Sequence, residues 1–295
     1  MAAAADTASL SQESSNECLG TFMKALDSQL RLAGIAVPTK KSNQGVFLKE
    51  GVNIDMSLEA IEAKVQAYDM RWRNQESDTQ LPAMNLLFHG APGTGKSFTA
   101  RHLADLIDRP VLVKRASDLL GPFVGMSERN VAEAFAQARN TGAVLVIDEI
   151  DSFLYKRAMA HRTWEANLVS EFLVQLEQGP GMVIGTTNRL EAIDEAARRR
   201  FLVRAEYRFL RTDQIVGLYK QVFGGITSGQ MSNAQATQLK SVKNATAAGF
   251  FSVLSGLMMS MDPSMDHDHI LNEIHCEFAG LSMVGVASVG AIGFN

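Results

Sequence analysis

The chain has 295 residues, a formal net charge of −4, 46% hydrophobic and 20% charged residues. That is the ordinary balance of a globular protein with room for one large domain and one small one, and the mild acidity gives no support to a general nucleic-acid binder. Cys18 and Cys276 stand near opposite ends with no metal-ligand spacing, so a reducing compartment with incidental thiols is expected.

The start, MAAAAD, lacks the basic and apolar regions of a secretory signal. Residues 1–50 read as a partly disordered N-terminal segment with one helix, Leu19–Leu32, followed by a turn-rich linker over Pro38–Gly51. Apolar spacing predicts a helix over Ser57–Trp72. From Met84 onward short apolar runs alternate with amphipathic stretches, the pattern of a parallel sheet covered by helices. Strands are predicted at Asn85–His89, Val111–Lys114, Ala143–Ile147, Met182–Thr186 and Val203–Phe209. Helices are predicted near Ser97–Ile107, Ser127–Arg139, Trp164–Gln178 and Ala192–Arg199. After Leu210 strand signals stop, and helices are expected at Asp213–Phe223, Ala248–Met261 and Ile270–Phe278. The expected units are therefore an α/β domain over 51–210 and a helical domain over 211–295. The uncharged tail Ala279–Asn295 is short for a membrane span and is interrupted by four glycines, so membrane insertion is not expected and the cytoplasm is the expected location.

The strongest local signal is Gly90-Ala91-Pro92-Gly93-Thr94-Gly95-Lys96-Ser97, a Walker A pattern between a predicted strand and a predicted helix, with Phe98 next. Glycines let backbone N–H groups curl around phosphate oxygens, and the helix start adds its partial positive charge. Lys96 would neutralise the β and γ phosphates of ATP, and the Ser97 hydroxyl would ligate Mg²⁺. Downstream, the run Ala143–Ile147 ends in Asp148-Glu149. A buried strand that ends in two acids delivers carboxylates at the C-terminal sheet edge, where Asp148 would hold Mg²⁺ and Glu149 would deprotonate the attacking water.

Together these residues resemble the AAA+ ATPases, in particular the AAA branch that includes katanin, spastin and related protein-remodelling enzymes. Similar bacterial AAA proteins resemble the stretch from Arg109 to Leu120. The resemblance implies a P-loop NTPase fold: a five-stranded parallel sheet flanked by helices, followed by a small C-terminal helical lid domain. It implies that Asn188, in Gly185-Thr186-Thr187-Asn188-Arg189, hydrogen-bonds the γ-phosphate or the lytic water, the alternative being an asparagine that caps the next helix. It implies an arginine finger in the run Arg198-Arg199-Arg200, with Arg199 and Arg200 the candidates and surface charge at a helix end the alternative. Gly121 to Asn130 resembles a first pore loop, in which Phe123, Val124 and Gly125 would grip a threaded peptide, unless Phe123 simply packs into the core. His161 and Arg162 fall where a second pore loop would lie.

The implied partners are further copies of the chain, in a ring expected to be a hexamer and dependent on nucleotide, and an unidentified protein substrate. A DNA-handling loader or initiator is the alternative, encouraged by the basic region Arg198, Arg199, Arg200, Arg204, Arg208 and Arg211; a slow nucleotide-gated switch is another. Phe250, Phe251, Leu254, Leu257 and Met258 are expected to form the lid core. Asp266-His267-Asp268-His269, with His275 and Cys276, fits metal-ligand spacing poorly and reads as the polar start of a helix.

Overall fold

Largely apolar runs at Met84–Gly90, Val144–Asp148 and Met182–Thr187 form the middle of a sheet covered on both faces, while VRAEYR at 203–208 alternates buried with more exposed positions. The computed structural model describes residues 47–74, 81–123, 125–152, 154, 163–178, 181–227, 230–260 and 266–284. The expected helix Leu19–Leu32, Val124, and His161 with Arg162 lie outside the described residues.

In chain order the sheet strands are β1 (Asn53–Ile54), β2 (Met84–Gly90), β3 (Val111–Arg115), β4 (Val144–Asp148), β5 (Met182–Thr187) and β6 (Val203–Arg208). They lie side by side in the order β1-β6-β2-β5-β4-β3. The five predicted strands are all parallel. A sixth, β1, adds antiparallel to the β6 edge through Asn53 opposite Arg208 and Ile54 opposite Tyr207. Two residues carry no periodicity, so this strand had no sequence signal.

The helices of the sheet domain are α1 (Leu58–Arg73), α2 (Lys96–Leu106), the single turn α3 (Ala116–Leu119), α4 (Met126–Thr141), α5 (Thr163–Glu177) and α6 (Glu195–Arg199). Side-chain alternation along the strands sorts them between two cores. Leu86, Phe88, Val144 and Val146 pack with Ile61 and Val65 of α1 and Ala100 and Leu103 of α2. Leu87, Leu145 and Ile147 pack with Val131 and Phe135 of α4 and Val169 and Phe172 of α5. α6 is shorter than expected, because Leu190–Ala192 forms a separate 3₁₀ turn and Asp194 caps the helix by accepting from the Ala196 amide at 2.9 Å.

A third core follows, built by α7 (Thr212–Phe223), α8 (Asn233–Lys240), α9 (Ala247–Ser260) and α10 (His267–Val284). Leu218, Phe223, Phe250, Ile270 and Ile274 are fully buried in it. α8 was not predicted: its sequence NAQATQLK buries only Leu239 and shows no apolar stripe. At the start of α10, Asp266 Oδ1 accepts from the His269 amide at 2.8 Å, the polar helix start expected there.

Candidate nucleotide site

Strand order fixes what meets at the C-terminal edge of the sheet. The loop after β2 carries the glycine-rich motif, and Gly90, Gly93 and Gly95 all have positive φ (132°, 76° and 98°). At Gly90 a Cβ would sit 2.0 Å from the Tyr207 carbonyl oxygen of β6, so no other residue fits this turn. Thr94 Oγ1 donates to the Ala91 carbonyl at 2.7 Å and closes the loop.

Lys96 opens α2 and folds back, its Nζ donating to the Gly90 and Ala91 carbonyls at 2.8 and 2.7 Å. It is only 8% exposed. Burial pushes its pKa down to about 8, opposed by the charges of Asp148 and Asp151.

Two strands away, β4 delivers the acids. Asp148 Oδ1 accepts from Ser97 Oγ at 2.7 Å and from Thr186 Oγ1 at 2.8 Å. One carboxylate oxygen thus binds together the glycine-rich loop, β4 and β5. Glu149 has φ 58°, a conformation uncommon for a side chain of this size, and its amide donates to Thr186 Oγ1 at 3.3 Å. Behind it, buried Asp151 accepts from Thr187 Oγ1 at 2.7 Å and from Arg189 Nε at 3.0 Å, tying the turn after β4 to the end of β5.

The glycine-rich loop and the two acids open onto a cavity of about 640 Å³, whose lining does not include Gly90, Ala91 or Thr94. Its walls include Pro92, Gly93, Gly95, Lys96, Ser97 and Phe98 from the motif. Asp148, Glu149 and Asn188 line it as well. Asn188 is exposed, and the caps of the following 3₁₀ turn and of α6 are Arg189 and Asp194, so the capping alternative for Asn188 falls away.

Sequence reasoning missed the segment 48–52, the lid residue Phe251 and one arginine in this wall. Leu48 and Gly51, read as the end of a linker, line it together with Val52, and Leu48 and Val52 flank the 3₁₀ turn Lys49–Gly51. Phe47 beside them stacks on His102 with ring centroids 3.8 Å apart. From the lid, Ala247, Ala248 and Phe251 close the cavity, and the Ala248 amide donates to the Gly93 carbonyl at 3.3 Å. The lid-core expectation therefore needs correcting at two positions: Phe251 faces the cavity and Met258 is 61% exposed, whereas Phe250 and Leu257 are buried. On a helix rich in apolar residues all round, periodicity does not say which face turns inward. The third omission is Arg115, at the end of β3.

Arg199 and Arg200 do not line this cavity. Arg199 pairs with Glu195. Arg200 Nε donates to Glu177 at 2.6 Å and its Nη1 to the Ala196 carbonyl at 2.8 Å. Buried Asn85 donates to the carbonyls of Leu176 and Arg200 at 3.0 and 3.2 Å and so fixes this turn from β2. Phe123 is 74% exposed, which removes the alternative that it packs into the core; Gly125 beside it has φ 82° and open space around it.

Residues 86–209 match the family model described as ATPase family associated with various cellular activities (AAA). Over this stretch the chain is similar to AAA ATPase domains. Spastin of Drosophila melanogaster is 37% identical over 131 residues, covering 42% of this chain and 17% of that protein. An AAA domain-containing protein of Schizosaccharomyces pombe is 35% identical over 127 residues, covering 40% of this chain and 16% of that one. The chain thus matches about a sixth of the length of these curated relatives. The FIGL-1 AAA domain in complex with ADP superposes with a TM-score of 0.59 at 21% identity, covering 84% of this chain and 91% of that chain. The FIGL-1 AAA domain alone gives 0.54 at 24% identity, covering 76% and 80%. At those identities the structural likeness speaks for the fold. Among the described residues no helix is long and apolar enough to cross a membrane.

Proposed function

We propose that the chain is an ATPase of the spastin-like AAA type, with its α/β domain over 51–210 and its lid over 211–295, that assembles into a nucleotide-dependent ring and remodels a protein partner in the cytoplasm. The observation that carries the reading is the Ser97–Asp148 hydrogen bond inside a cavity bounded by glycine-rich loop, sheet edge and lid. That bond supports Mg²⁺ as well: a hydroxyl and a carboxylate within 2.7 Å form the hard oxygen pair that this cation takes, and Mg²⁺ would neutralise charge on the β and γ phosphates.

The chain's own residues divide the remaining work. Amides of Gly93, Thr94 and Gly95 and the start of α2 cradle the phosphates, and Lys96 turns from its two carbonyls to them. Glu149 accepts the proton of the attacking water, and Asn188 orients that water or the γ-phosphate. Leu48, Val52 and Phe251 offer apolar surface to the base. A pentavalent phosphoryl group still needs a cation on its outer side. Arg200, with Arg199 as second candidate, would supply it to a neighbouring copy by leaving Glu177. Exposed Phe123, with Val124 and Gly125, would then contact an extended polypeptide.

The nucleic-acid reading loses support at the arginines that suggested it. Arg199, Arg200, Arg208 and Arg211 sit against Glu195, Glu177, Glu206 and Asp213, which cancels much of the basic field. The deciding experiment is the ATPase rate per protomer across a wide protein concentration range, for the unaltered chain, Glu149→Gln and Arg200→Ala. A rate that rises with concentration and collapses in both variants, with ATP binding retained in Arg200→Ala, supports a shared site. A flat rate with Arg200→Ala still active would leave a monomeric nucleotide switch.

A further inference from the structure

The cavity lining follows the strand order. At one end, Gly51 and Val52 lead into β1, the outermost strand beside β6. Next come the glycine-rich loop after β2, then Thr186 to Asn188 at the end of β5, then Asp148 and Glu149 at the end of β4. At the far end stands Arg115, the last residue of β3. A nucleotide whose base lies on the apolar Leu48, Val52 and Phe251 wall and whose β-phosphate lies in the loop must extend its chain of phosphates toward β4 and β3.

Arg115 is well placed to meet it. It pairs in register with Asp148 on β4, one strand spacing away (about 4.8 Å). Its backbone is fixed, because its amide donates to Asp118 Oδ2 at 2.8 Å at the start of α3. Its side chain is exposed to the cavity and forms no ion pair among the described residues, unlike Arg199, Arg200, Arg208 and Arg211. Among the described residues it is, apart from Lys96, the one cationic residue of the lining, to which the lid contributes Ala247, Ala248 and Phe251. A guanidinium held on a strand end suits bidentate contact with phosphate oxygens.

Building on the ATPase reading, we propose that Arg115 contacts the terminal phosphate of the triphosphate bound in its own chain, and thereby distinguishes ATP from ADP. A diphosphate stops short of β3 and gains nothing from this side chain. α3 and the loop carrying Phe123 follow Arg115 directly, so the same contact bears on the segment proposed to meet polypeptide.

The test is binding of ADP and of the slowly hydrolysed analogue ATPγS, each with Mg²⁺, to the full chain and to Arg115→Ala, Arg115→Lys and Arg115→Gln. Affinity for ADP should stay within about twofold in all variants, while affinity for ATPγS falls roughly tenfold in Arg115→Ala and Arg115→Gln and partly recovers in Arg115→Lys. Arg115→Gln keeps much of the side-chain stem, so it remains informative if Arg115→Ala melts earlier without nucleotide. Equal losses for both nucleotides, or no loss for ATPγS, would overturn the proposal while leaving the ATPase reading intact. An unaltered chain that binds neither nucleotide would overturn both.

Discussion

Lys96 shows how a single residue ties fold to chemistry. Its ammonium is buried against two carbonyls of its own loop, with its pKa lowered to about 8, so the empty site loses positive charge as pH rises through that value. Phosphate favours the charged form, so nucleotide binding should raise the pKa and take up a proton. Nucleotide affinity is therefore expected to fall as pH rises from about 7 to about 9, roughly one unit on either side of the midpoint. Calorimetry in two buffers of different ionisation heat should show proton uptake near pH 8. At Gly90 the constraint is steric. Gly90→Ala would place a Cβ on the Tyr207 carbonyl at a φ of 132°, so a loss of roughly 2 kcal/mol or more is expected in denaturant unfolding, together with loss of nucleotide binding. The motif glycines were legible in sequence because their spacing is chemical. Arg115 was not: nothing in VLVKR marks the last residue as facing a ligand until β3 is placed beside β4.

At the scale of elements, the parallel strands were legible because strands buried on both faces need unbroken apolar runs, as in Val144–Asp148. α1 was legible through its apolar spacing; its cap, read in sequence as Asn53 or Asp55, is Ser57, whose side chain accepts from the Ala60 amide at 3.2 Å. Ser57→Ala should cost about 1 kcal/mol of stability, measured by chemical unfolding, with nucleotide affinity unchanged because Ser57 does not line the cavity. The elements that escaped are short or polar. β1 is two residues long, and the 3₁₀ turn Lys49–Gly51 exists because Leu48 and Val52 have cores to join on either side of it. α9 escaped in a different way: its existence was plain, but its facing was set by Phe250 entering the lid core and Phe251 turning to the cavity.

At the scale of the whole molecule, the cavity is a junction. The segment 48–52, the sheet edge and the lid each supply part of its wall; the Ala248 amide bonds the Gly93 carbonyl and Gln214 Nε2 donates to the Val52 carbonyl at 2.7 Å. A ligand that bridges those parts stabilises the assembled form alone. ADP with Mg²⁺ at a hundred times its dissociation constant should add about 2.7 kcal/mol, raising the thermal midpoint by roughly 5–10 °C. A midpoint unmoved by saturating ADP would mean that lid and sheet do not clasp the nucleotide together. Phe251→Ala should shrink the shift without lowering the unliganded midpoint by more than about 1 kcal/mol equivalent, since Phe251 is 38% exposed.

What the sequence by itself determined is local: which runs form strands, where the phosphate loop lies, and which two acids end β4. Those features are written in periodicity and spacing, which neighbours along the chain enforce. What only the tertiary structure decided is adjacency. Leu48 and Phe251 line one cavity with Arg115, which stands beside Asp148 because β3 pairs with β4. The same packing leaves Arg200 on Glu177 and Phe123 in solvent. Strand order arises from the competition of all the cores at once, and no stretch of sequence short enough to read as a motif contains it.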